Sequence, residues 1–264
     1  MSYQEQLRTG AIDTAPPDDP MLAALLSHPE EWALFLDIDG TLIDLAETPD
    51  GVIVPPDLPR NLKALSDRLG GALALVTGRA ISLADQLFSP FHLPIAGLHG
   101  AERRDADGHI ERVSITRAFE AMKRAIALEA EALSGVIVED KGAAIAAHFR
   151  LSPGRQPAVE EMMQRHLRSV VPDWTLQHGK MVVEIRPAAA DKGKAVEAFL
   201  EEMPFRGRRP LAIGDDVTDE AMFHAVNRVG GQSLRVGSPS PETAARASIA
   251  SPDQLRRIIA RLAA

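Results

Sequence analysis

The chain predicts an α/β fold: a mostly parallel sheet with helices on both faces, interrupted by a smaller inserted α+β module. Three observations carry this. Apolar, strand-like runs alternate with helix-length segments in the first 100 and the last 75 or so residues. Between them, short apolar runs flank glycine-containing turns, the pattern of hairpins. Acidic motifs follow two of the strand-like runs, Asp37-Ile38-Asp39-Gly40-Thr41 and Gly214-Asp215-Asp216-Val217-Thr218-Asp219-Glu220. Open α/β sheets hold their ligands in loops at such strand ends.

Taken in order, residues 1–30 form a polar leader with a proline-rich piece, Ala15-Pro16-Pro17-Asp18-Asp19-Pro20, and a short helix expected over 21–27. The apolar run Trp32-Ala33-Leu34-Phe35-Leu36 predicts a buried strand over 33–38. A proline-containing loop then leads to a helix over 57–69, a strand over 72–76, a helix over 80–87 and a strand over 94–97. Asp107-Gly108 predicts a hairpin joining 101–105 to 109–113. A long helix over 117–133 precedes two apolar pieces, 136–139 and 143–146, around Asp140-Lys141-Gly142. A helix over 157–168 and a hairpin of 174–178 with 181–185 around Gly179 complete the module. The alternating pattern resumes with a helix over 191–203, a strand over 210–213, a helix near 218–227, a strand over 232–236 and a last helix over 252–262. The expected division is a leader (1–30), a core (31–104 and 187–264) and an insertion (105–186).

Composition excludes several classes. The 264 residues contain no cysteine, which removes disulfides, thiolate chemistry and sulfur ligation. A net charge of −8 argues against a nucleic-acid partner. No apolar run reaches membrane-spanning length, and no secretion signal opens the chain, so a cytoplasmic protein is expected.

The acidic motifs predict one metal site. Carboxylates this close repel one another unless a cation lies among them. Magnesium takes hard oxygen ligands, which Asp37, a backbone carbonyl near Asp39, and Asp215 could supply. A carboxylate can also attack phosphorus, and a second one two residues away can move protons. Thr77 with the Gly78 amide could hold a phosphoryl oxygen, and Lys192 could neutralise developing charge.

The four motifs together resemble those of the haloacid dehalogenase-like phosphohydrolases. Asp37-Ile38-Asp39-Gly40-Thr41-Leu42 looks like the first, Thr77-Gly78-Arg79 the second, Lys192 in Asp191-Lys192-Gly193 the third, and Gly214 to Glu220 the fourth. The resemblance implies a Rossmann-like core, Asp37 as nucleophile and Asp39 as general acid and base. It implies phosphate binding by Thr77, Gly78 and Lys192, and Mg2+ held through Asp37, Asp39 and Asp215. Asp219 would act through the metal's water shell, and Asp216 lies close enough to share either role.

A narrower resemblance is to trehalose-6-phosphate phosphatases. It rests on the form of the fourth motif and on Gly97-Leu98-His99-Gly100-Ala101-Glu102, Glu139-Asp140-Lys141-Gly142, His148-Phe149-Arg150 and the run from Gly179 to Pro187. In that family the insertion is a cap over the active site. The resemblance makes Glu139, Lys141 and Glu184 candidates for contacts with sugar hydroxyls, with Arg79, His148, Arg150 and Lys180 completing the candidate set. The scarcity of aromatic residues in the cap favours hydrogen-bond recognition over stacking. The rival expectations are a phosphatase for another sugar phosphate, such as a sucrose or glucosylglycerol phosphate, a sugar phosphomutase, or a non-catalytic regulatory subunit. Association with a trehalose-phosphate synthase is left open by the sequence.

Overall fold

Two central, largely buried strands lie side by side and bring the two acidic motifs to one end of the sheet. In the computed structural model, which describes residues 25, 27–46, 51–179, 181–238 and 242–264, β1 (Trp32–Leu36) pairs in parallel with β10 (Arg209–Gly214), and Leu36 sits opposite Ile213. Every residue of β1 is buried. Such all-apolar strands fit the interior of a parallel sheet covered on both faces.

The large sheet has the order β12-β11-β10-β1-β2-β3-β4-β5. Its remaining strands are β2 (Leu73–Val76), β3 (Ile95–Gly97), β4 (Glu102–Arg104), β5 (Ile110–Arg112), β11 (Gln232–Val236) and β12 (Ala247–Ile249). Pairing is parallel from β12 to β3 and antiparallel from β3 to β5. The helices that cover it are amphipathic. Leu58, Leu62 and Leu65 line the buried face of α1 (Leu58–Arg68). Leu255, Ile259 and Leu262 do the same for α7 (Pro252–Ala263), whose N-terminus is capped by the Ser251 hydroxyl. Also in the core part are α2 (Ile81–Leu87), α5 (Lys192–Leu200) and α6 (Glu220–Arg228).

The insertion forms a separate four-stranded antiparallel sheet, β6-β7-β9-β8. Its strands are β6 (Ile137–Asp140), β7 (Ile145–His148), β8 (Trp174–Gly179) and β9 (Val182–Pro187). Two helices, α3 (Arg117–Ala130) and α4 (Gln156–Leu167), pack on it through a core of their own containing Phe119, Met162, Met163, Val183 and Ile185. Phe119 stacks on Trp174 with ring centroids 4.6 Å apart.

Several expectations change. The hairpin around Asp107-Gly108 extends the large sheet, so that sheet runs past residue 104 to Arg112. The first hairpin of the insertion is shifted towards the C-terminus, ending at His148. The edge strand β12 was not foreseen. The leader helix over 21–27 lies largely outside the described residues, as does the proline-rich piece. No helix among the described residues is long and apolar enough to cross a membrane.

Candidate active site

The first motif turns sharply as it leaves β1. Asp37 N donates to Ile213 O (3.0 Å), which keeps the backbone tied to β10 for one more residue. The carbonyl of Ile38 then accepts from the amides of Thr41, Leu42 and Ile43, folding the loop back. Gly40 sits at φ +83°, and a Cβ there would lie 2.2 Å from Asp215 Oδ2. Only glycine meets both demands. Gly40→Ala is therefore expected to cost about 1–3 kcal/mol of stability. It should also displace Asp215 and lower turnover at least about tenfold. Thermal melting and initial rates check both, and a variant with wild-type values of each would contradict this account of the turn.

The fourth motif closes around Asp219, which is wholly buried. Its Oδ2 accepts from the backbone amides of Asp215 (2.9 Å) and Asp216 (3.0 Å). Its Oδ1 accepts from Lys192 Nζ (2.6 Å). Lys192 also donates to Asp37 Oδ1 (2.7 Å), joining the third motif to the first and fourth. Asp191 caps α5 by accepting from Lys194 N (3.0 Å), which fixes Lys192 in the first turn. Thr41 Oγ1 donates to Asp215 Oδ1 (3.1 Å). Asp216 uses its carboxylate to accept from Val217 N (2.7 Å), at the start of a short 3-10 turn.

This arrangement concentrates negative charge. One oxygen from each of Asp37, Asp215 and Asp219 lies within 4.8 Å of the others. Burial, with Asp219 and Asp215 adding to it against the pull of Lys192, drives the Asp37 carboxyl well above its ordinary range. Burial first, then Asp219, pushes Asp215 up to about 6. Lys192 is held charged: burial pulls its pKa down, but Asp219 and Asp37 outweigh that and raise it. The donor set is all hard oxygen and short of positive charge, which fits a divalent cation. Asp219 spends both oxygens on Lys192 and the backbone, whereas Asp37 is bonded by Lys192 and Asp215 by Thr41 through Oδ1. The Asp39 side chain is not part of this cluster; its carboxylate is forked by Arg79, through Nε (2.7 Å) and a terminal nitrogen (2.7 Å).

The second motif follows β2. Thr77 is buried and its Oγ1 accepts from Arg79 N (3.1 Å). Gly78 and Arg79 line a cavity of about 460 Å³ that Asp37, Asp39 and Lys192 also line. The insertion supplies the opposite wall. Lys141 donates to Glu184 Oε2 (2.8 Å) and to Gly78 O (3.4 Å), a contact between the insertion and the core. Burial pulls Lys141 down, but Glu184 and Glu139 overcome it and raise its pKa. His148 Nε2 bonds Glu139 Oε2 (2.9 Å). Burial raises Glu139, but His148 and Lys141 outweigh that and lower it. Arg150 reaches across to donate to Ala46 O in the loop after the first motif. Lys180 lies outside the described residues.

The trehalose-phosphatase family profile matches residues 35–254. The chain belongs to this family. It is 59% identical over 263 residues to a Sinorhizobium fredii (strain NBRC 101917 / NGR234) protein named "Probable trehalose-phosphate phosphatase", covering 100% of this chain and 98% of that one. It is 39% identical over 233 residues to the trehalose-6-phosphate phosphatase of Escherichia coli (strain K12), covering 86% of each. The C-terminal domain of the Candida albicans trehalose-6-phosphate phosphatase superposes with a TM-score of 0.79 over 92% of this chain and 96% of that one. At 22% identity that likeness shows the fold.

Within this trehalose-phosphatase chain, the cavity also holds residues that motif reading did not assign. His99, Gln177 and Arg235 line it. His99 lies within the quoted run Gly97 to Glu102, so its position was visible but its role was not. Gln177 is an ordinary strand residue in sequence, and Arg235 stands opposite Gly214 only through the pairing of β10 with β11.

Proposed function

We propose that this chain hydrolyses trehalose 6-phosphate to trehalose and phosphate, with Mg2+ as its metal, Asp37 as nucleophile and Asp39 as general acid and base. The observation that supports this best is a convergence. In a trehalose-phosphatase chain, the reactive carboxylates and the polar residues Glu139, Lys141 and Glu184 face one cavity of about 460 Å³. That is within the usual range for small-molecule sites.

The substrate phosphoryl group enters beside Asp37, Lys192 and the loop from Thr77 to Arg79. Asp37 attacks phosphorus, and the bond from phosphorus to the sugar oxygen breaks. Asp39 gives its proton to that oxygen, and trehalose leaves. Asp39 then takes a proton from water, whose oxygen attacks the aspartyl-phosphate and frees Asp37 and phosphate. Asp39 can act as an acid only once its fork with Arg79 loosens. An incoming phosphoryl group competes for the same guanidinium, so binding and proton transfer are coupled there. Lys192 opposes the effect of burial on the Asp37 carboxylate and so favours its charged form. Asp37 and Asp215 would hold Mg2+, which when bound would supply positive charge to offset the repulsion between an anionic substrate and an anionic nucleophile.

The metal assignment has a pH signature. The Asp215 carboxyl has a pKa of about 6 in the fold against an ordinary 3.8. A raised carboxyl pKa means that the fold binds the proton more tightly, so metal-free stability falls as pH rises from about 4 through about 6. A cation removes that penalty only where the carboxylate is charged. Mg2+ is expected to raise Tm more at pH 7 than at pH 5, and equal shifts at both would contradict the assignment.

The function itself is tested by phosphate release from trehalose 6-phosphate, sucrose 6-phosphate, glucose 6-phosphate and glucose 1-phosphate, with Mg2+ and with chelator. A Mg2+-dependent preference for trehalose 6-phosphate is expected. Preference for another member would overturn the substrate, and no release from any would overturn the hydrolase reading in favour of a mutase or a regulatory subunit.

A further inference from the structure

His99 is a buried polar group that the steps above leave unused. It sits in the left-handed region (φ 57°, ψ 23°) and follows Leu98, also at positive φ (49°). Two consecutive non-glycine residues there are costly and persist only when their surroundings hold them. The holding bonds go to the phosphate loop: His99 N donates to Thr77 O (2.9 Å) and Leu98 N to Arg79 O (3.0 Å). The ring rests against Gly78, where a Cβ would come within 2.8 Å of Nε2. The strained backbone thus sets an imidazole between the phosphate loop and the insertion, lining the main cavity and an adjoining one of about 260 Å³.

The ring is neutral, because burial first, and then Lys192, Lys141 and Arg186, hold its pKa well below the ordinary value. One nitrogen therefore carries a proton. Nδ1 is buried with no hydrogen-bond partner. Nε2 faces Glu184 Oε1 at 4.0 Å. The nitrogen with an acceptor nearby takes the proton, so Nε2 is the donor. Glu184 Oε1 is itself buried and unpartnered, although Oε2 holds Lys141. A gap of 4.0 Å is too long for a direct hydrogen bond. An oxygen about 2.8 Å from both atoms would bridge it once Glu184 Oε1, closed to solvent here, opens to the cavity.

We propose that His99 Nε2–H and Glu184 Oε1 together grip one hydroxyl of the phosphate-bearing sugar ring, which makes His99 a specificity-determining residue supplied by the core. A hydroxyl is the sugar group that both accepts a proton from the imidazole and donates one to the carboxylate. The near ring is the one addressed because the imidazole packs on Gly78, in the loop assigned to the phosphate. This inference rests on the trehalose 6-phosphate reading above.

The test compares kcat/KM for trehalose 6-phosphate with that for 4-nitrophenyl phosphate, which has no sugar hydroxyl. His99→Gln and His99→Asn separate the two ring nitrogens: the Gln amide reaches where Nε2 lies, and the Asn amide where Nδ1 lies. Asn also tolerates the left-handed backbone. The ratio of the two substrates is expected to fall about 10- to 100-fold in His99→Asn and to recover to within about fivefold of wild type in His99→Gln. A ratio unchanged in both, with the two substrates losing together, would show a structural role only and overturn the proposal. Recovery in Asn but not Gln would overturn it as well. Wild-type enzyme supplies an arm that does not depend on any variant folding. Among substrates singly deoxygenated on the phosphorylated ring, one should lose about 10- to 100-fold. Losses below about threefold for all of them would sink the proposal. If wild type turns over a different sugar phosphate instead, the substrate reading fails, and the same ratio measured on that substrate still decides the role of His99.

Discussion

Asp37→Asn is expected to lower phosphate release by about 10⁴-fold or more, because the amide cannot form the acyl-phosphate. The same change should not unfold the protein. The Asp37 carboxyl is driven well above its ordinary range by burial and by neighbouring carboxylates. In the metal-free fold, it therefore detracts from stability at neutral pH, and this effect grows as pH rises from about 4 upwards. An isosteric neutral group removes it. Metal-free Asp37→Asn should melt at or above the wild-type temperature at pH 7, and its melting temperature should depend less on pH. A variant that kept turnover would overturn the nucleophile. One that lost turnover together with several degrees of Tm would show that folding, not chemistry, had been removed.

Lys192→Met should act on both. Lys192 is 3% exposed and bonds two carboxylates that are buried themselves. Removing one partner of a buried charged group leaves the others uncompensated, typically at about 3–5 kcal/mol. Asp37, whose pKa burial raises and Lys192 lowers, would then be pushed further towards its neutral form. The stability loss is thus expected to be larger at pH 7 than at pH 5, and denaturant unfolding at the two pH values measures it. Turnover should fall by about 10³-fold, since the cation that opposes the burial of the Asp37 charge and faces the phosphate is gone. A loss below about 1 kcal/mol at pH 7 would mean that water reaches the cluster, against its observed burial.

The core was legible because its strands are buried on both faces. Trp32–Leu36 and Leu73–Val76 read as unbroken apolar runs, and their positions hold to within a residue or two. The hairpin of β4 and β5 was read from Asp107-Gly108, but its joining of the large sheet through β3 was less visible. Glu102-Arg103-Arg104 is charged throughout, yet Glu102 and Arg104 are buried. Arg104 is satisfied by Asp85 (2.8 Å) and Leu93 O, and Glu102 by Ile81 N, partners that no local pattern announces. The strand β12 is three residues long with two exposed, too short for any periodicity. In the site, Asp37, Lys192 and Asp215 were readable from motif type and order. That Asp219 is wholly spent on Lys192 and two backbone amides was not, because it depends on how the loop closes. His99 escaped for a similar reason: its place depends on a left-handed backbone that the residue type does not signal.

The most direct test of the central claim is a single-turnover rapid-quench experiment. Enzyme in excess over trehalose 6-phosphate, labelled in its phosphate, is quenched in acid at millisecond intervals and the label on the chain is mapped. The account predicts acid-stable, base-labile label on Asp37 that forms with trehalose and decays as free phosphate appears, with none on Asp37→Asn. Phosphate released at the full rate with no label on the chain, or label on another residue, would contradict it.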